Sequence, residues 1–166
     1  MAGHSCPTVA GAYLMTLAAL KELYKDELPV RGNIKVEFKE EIEDGVAGVI
    51  ATVISVITGA TKSHGFKGIN GRFARTSLMD FGKDINSSAR FTRTDIDKSV
   101  DVYYDPSVVP IKERQQALFQ KLNQKTATQS EHEEFKKLWQ ERVEKILCDY
   151  DKYYGLIEVK AIEADV

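Results

Sequence analysis

The amino-acid sequence predicts an α+β protein with a mixed or antiparallel sheet and helices packed against it. Three observations lead there. Apolar residues recur at helical spacing near both ends of the chain. Segments between them alternate apolar and polar residues. The two patterns do not alternate strictly, as a doubly wound parallel sheet would require. The 166 residues can bury one core without staples. No repeat or low-complexity linker divides residues 1–166, so one domain is expected.

Each element has a local reason. Pro7 suits the first turn of a helix, and Val9, Tyr13, Leu14, Leu17, Leu20 and Tyr24 form an apolar stripe over residues 8–25. Asp26 and Pro29 end it. Ile34, Val36 and Phe38 alternate with Lys35, Glu37 and Lys39, the pattern of a half-buried strand. An acidic turn from Glu40 to Gly45 leads into Val46, Val49, Ile50, Val53, Ile54 and Ile57. These fit a helical stripe despite their β-branched content, and Gly59 closes it. A loop rich in glycine and cations follows, as far as Arg75. Residues 89–94 and 99–104 read as a hairpin turned at Asp95 to Lys98, and Pro106 and Pro110 mark a loop. Leu118, Phe119 and Leu122 define one face of a short helix. Thr128 and Glu131 form a capping-box pattern ahead of a long helix to about Tyr150, and a last strand covers Leu156 to Ile162.

Composition excludes several functions. Lys plus Arg is 23 against 25 Asp plus Glu, a net charge of −2, so no excess of cations draws nucleic acid. The stretch Val46 to Ile57 is too short to span a bilayer, and no signal-peptide pattern opens the chain. The two cysteines, Cys6 and Cys148, do not make a secreted disulfide framework. A reducing, cytoplasmic setting is expected.

Chemistry concentrates at His4-Ser5-Cys6-Pro7. An imidazole and a thiol two residues apart on extended chain can face one ion, and both suit zinc, with iron or nickel as alternatives. The positive end of the following helix favours thiolate, as ligand or as nucleophile. The other reading is an exposed histidine beside a small buried hydrophobe. His64, in the glycine-rich loop, is the natural third ligand, or else a solvated loop residue. Gly65, Gly68 and Gly71 lie three apart among Lys62, Lys67, Arg72 and Arg75. Such a loop can hold a carboxylate or phosphate through backbone N–H groups and a guanidinium, with Lys67 and Arg75 in contact, or it is a soluble loop. The glycine spacing matches neither a dinucleotide fingerprint nor a Walker loop. His132 reads as surface. Asp80-Phe81-Gly82-Lys83 reads as a turn.

Gly3-His4-Ser5-Cys6-Pro7 before a long amphipathic helix resembles the opening of the FmdE domain family, named for formylmethanofuran dehydrogenase. Val56-Ile57-Thr58-Gly59, Lys67-Gly68, Asp80-Phe81-Gly82-Lys83 and Phe91-Thr92-Arg93 follow in the family's order. The resemblance spans nearly the whole chain and implies an α+β core and a homodimer with an apolar interface. Members of that family often carry a histidine where this chain has Ala2 and a cysteine where it has Ala60. A family cysteine near the start of the second helix is also missing, so a divergent branch is implied. No cysteine follows Cys148, and the C-terminal zinc finger of other members is not expected.

Three functions remain open on the sequence. The first is a metal-dependent enzyme for a small anionic or carbonyl substrate. Its ligands would be His4, Cys6 and His64, its substrate contacts Lys67 and Arg75, and its candidate catalytic groups Cys6 and Lys67. The second is a metal-binding accessory protein without turnover. The third is a structural dimer module.

Overall fold

The computed structural model describes residues 3–162. Its first helix, α1, covers Pro7–Tyr24. Cys6 caps it with extended backbone, and Pro7 occupies the first turn, where a missing N–H goes unnoticed. The buried face of α1 is broad and includes small residues, Ala10, Gly11, Ala12 and Ala19, which let the helix lie close on the sheet.

The strands are β1 (Ile34–Glu37), β2 (Met79–Asp80), β3 (Ala89–Arg93), β4 (Lys98–Tyr104) and β5 (Ile157–Ile162). They form one mixed sheet in the order β2-β1-β3-β4-β5. Only β1 and β2 pair in parallel, with Val36 opposite Met79; the other three pairs are antiparallel. The expected hairpin is β3–β4, with Phe91 opposite Val100. β2 corrects the reading of Asp80 to Lys83 as a turn alone. Val36 N–H donates to Leu78 O and Phe38 N–H to Asp80 O, so Asp80 ends a strand before the chain turns at Gly82.

The second helix, α2, covers Ala47–Thr58 and ends in a left-handed Gly59, a conformation that favours glycine. α1 and α2 pack on one face of the sheet. Met15, Tyr24, Ile54, Val36, Phe91 and Val100 are among the residues of the main core between them. The later helices, α3 (Glu113–Asn123) and α4 (Gln129–Cys148), form an antiparallel pair with Phe119 stacked on Phe135 at 6.1 Å. A second cluster, including Leu14, Val109, Val143, Ile146 and Leu156, fixes α4 to α1. Of the expected apolar face of α3, Leu118 is buried while Phe119 is half exposed. The capping box of Thr128 and Glu131 is formed. Among the described residues, no helix is long and apolar enough to cross a membrane.

Candidate functional site

Cys6 sits where α1 begins. Its Sγ accepts from Val9 N–H at 3.5 Å, so the sulfur faces the unpaired N–H groups of the first turn. Cys6 is partly buried, and His4, two residues earlier, is exposed. The end of β4 meets this point. Tyr104 donates its hydroxyl proton to Pro7 O at 2.6 Å, and its N–H donates to Ser88 Oγ at 3.1 Å. The Tyr104 ring lies against Gly11, where an added Cβ would stand 2.2 Å from the ring. Burial pushes the Tyr104 hydroxyl up to about 12; Arg142 pulls it down a little, and the neighbouring charge of Cys6 adds to the rise.

Beside this junction lies a cavity of about 350 Å³, lined by Thr8, Ser88 and Tyr104 on one side and Glu40, Asp44 and Val46 on the other. The first turns of α1 and α2 both open onto it. Sequence reasoning missed Ser88, Tyr104 and the Glu40–Asp44 turn as the walls of a cavity beside the start of α1. A larger groove of about 1070 Å³ runs between α1 and β5, from Leu14 to Asp26 and along Ile157 to Lys160. No histidine or cysteine lines it.

The glycine-rich loop is folded back on itself. Thr61 N–H donates to Arg75 O, Arg75 N–H to Phe66 O and Ser77 N–H to Lys62 O. Thr61 Oγ1 donates to both His64 O and Arg75 O. Gly68 has a positive φ, and a Cβ there would stand 2.5 Å from Arg72 O, so close backbone approach requires glycine. Arg75 is half buried against Gly59 and Gly32, with Nη1 lacking an acceptor. His64, Lys67 and Arg72 are exposed.

Within one chain the loop and the Cys6 pocket lie at opposite ends of α2. Val46 and Ala47, at its start, line the pocket, whereas Gly59, at its end, touches Arg75. A helix of 12 residues separates the two by about 18 Å. The sheet agrees: β4 runs from Lys98, bonded to Glu22 near the end of α1, to Tyr104 at its start. One copy of the chain therefore does not bring His64 to Cys6.

The donor types at His4 and Cys6 suit zinc, iron or nickel, but they are two. Among the described residues no group of three or more His, Cys, Asp or Glu side chains stands together. A complete shell usually holds three or four protein donors, more than the two that His4 and Cys6 bring. Cys148 is an exposed free thiol and His132 is exposed. Ala60, where the family often has cysteine, is fully buried, and Ala2 lies outside the described residues.

A five-stranded mixed sheet carrying helices, with a cysteine capping the first of them, defines an α+β protein. The sequence model described as "FmdE, Molybdenum formylmethanofuran dehydrogenase operon" matches residues 1–152. The chain belongs to the FmdE family. A comparison with curated proteins found no match.

Proposed function

We propose that this FmdE-family chain binds a divalent transition metal, zinc foremost, with His4 and Cys6 as two of its ligands, and that the adjoining cavity receives a small anionic or carbonyl compound. The observation that carries the reading is the position of Cys6 Sγ, 3.5 Å from Val9 N at the head of α1. A cysteine sulfur is the donor type that a soft or borderline metal selects. The cavity of about 350 Å³ falls in the size range of small-ligand pockets, roughly 300–1,000 Å³. Two helix N-termini at its wall suit an anionic group.

A metal-holding role without turnover is favoured by one feature of the same pocket. Tyr104 donates its hydroxyl proton to Pro7 O and Ser88 Oγ accepts from Tyr104 N–H, so both groups are tied to the backbone and serve the scaffold.

Metal analysis of protein purified without a histidine tag tests the binding. Wild type is expected to retain metal and Cys6→Ser to lose most of it. Equal content in the two overturns the reading.

A further inference from the structure

We propose that the outer edge of β5 pairs antiparallel with β5 of a second copy of this chain, with Val159 opposite the partner's Val159, so that one sheet runs through both copies. The pairing does not rest on the metal reading above.

The backbone supplies the template. Among the described residues β5 is an outer strand, with β4 alone beside it. Asp105 N–H donates to Leu156 O at 3.1 Å, and on the other side of β4 Ser88 N–H donates to Val102 O at 2.9 Å. Bonded and non-bonded pairs alternate along an antiparallel ladder. Tyr103 and Asp101 therefore bond Glu158 and Lys160. Ile157, Val159 and Ala161 turn their N–H and C=O groups away from the sheet, where another strand can take them up.

The side chains select that strand. Ile157 and Val159 pack against the core, so Glu158 and Lys160 point to the other face of the sheet, where both are exposed. Within β5 these two charges approach only to 3.7 Å. With Val159 opposite Val159, Glu158 of each copy stands opposite the partner's Lys160, once on either side of the two-fold axis. These are the non-bonded pairs, whose side chains stand closer together. Sliding one copy to the next register that keeps the outward groups matched sets Glu158 against Glu158. Sliding it the other way sets Lys160 against Lys160. Like charges directly opposite are destabilising. The edge is therefore complementary to a reversed copy of itself, and charge picks the register.

The helical face adds apolar surface. The groove of about 1070 Å³ between α1 and β5 lies on the core side of the same edge. Leu17 and Tyr154 line it and are 42 % and 96 % exposed. A strand added beyond β5 extends the floor of this groove and sets the partner's α1 across the axis from its open side.

Sedimentation of the full chain tests the pairing. Glu158→Lys and Lys160→Glu, each alone, should associate about tenfold more weakly than wild type. Mixing the two variants, or making both changes in one chain, should restore wild-type association, because opposite charges again face each other. A monomeric wild type, which would leave the edge to a strand of another protein, overturns the proposal. Single variants that associate as wild type does overturn it too. Oxidation then reads the register. Glu158→Cys and Lys160→Cys are placed in separate chains that also carry Cys6→Ser and Cys148→Ser. Non-bonded pairs hold their Cα atoms about 4.5 Å apart, within disulfide reach. The mixture should therefore cross-link, and either variant alone should not. No cross-link in the mixture, or equal cross-linking in all three samples, overturns the register.

Discussion

The Tyr104 hydroxyl and the Pro7 carbonyl lie 2.6 Å apart, joining the end of β4 to the start of α1 across 97 positions of sequence. This bond, with the ring packed on Gly11, fixes the start of α1, which Cys6 caps, beside the cavity that Thr8 and Tyr104 line. Three predictions follow from the elements that hold the site and its scaffold.

Gly11→Ala should destabilise the protein even though alanine is the better helix former. The added Cβ would stand 2.2 Å from the Tyr104 ring. Over-packing of this kind costs about 1–3 kcal/mol, more than the gain of about 1 kcal/mol in propensity. Thermal denaturation reads the effect, and in a Tyr104→Ala background the same substitution should be neutral or stabilising. A wild-type Tm for Gly11→Ala alone would show that the ring has room.

Tyr104 should govern alkaline unfolding. Burial favours the neutral phenol, and its value rises from 10.0 to about 12 on folding. A group raised in the folded state contributes its full stability below the unfolded value. That contribution is lost as pH climbs from about 10 through about 12. Tyr104→Phe should lower stability near neutral pH by about 1 kcal/mol, the typical net value of one hydrogen bond, and flatten the fall above pH 10. Parallel stability curves for wild type and variant across that range would contradict this account.

The α4 cap should be sensitive to acid. Glu131 is held down to about 2 from 4.5, first by Lys121 and then by the Thr128 N–H. A lowered carboxylate contributes stability that is present above about 4.5 and lost as pH falls toward 2. Thr128→Ala should cost about 1 kcal/mol at neutral pH, as other N-cap removals do. Glu131→Gln should remove the acid dependence of α4 helicity, followed by circular dichroism; an unchanged acid transition would assign it elsewhere.

What the sequence made legible follows from range. α1, β1, α2 and the β3–β4 hairpin rest on periodicity within a dozen residues, and the cap of α4 on Thr128 and Glu131, three apart. β2 was not legible, because Met79–Asp80 is too short to show a period and is defined only by its pairing with Val36 and Glu37. Cys6 was singled out from its neighbours in the chain. Its spatial neighbours were not, since Tyr104 reads in sequence as one more residue of an alternating strand. The wide separation of His64 from Cys6 arises because α1 and α2 lie side by side with their starts at the same pocket. No local pattern encodes that direction.

The most direct test of the account is an anomalous-diffraction map of crystals grown with zinc, recorded on both sides of the zinc edge. A peak about 2.3 Å from Cys6 Sγ and about 2.0–2.1 Å from a His4 ring nitrogen is the predicted result. A zinc peak elsewhere in the molecule, with none at Cys6, would contradict the claim that the head of α1 is a metal site.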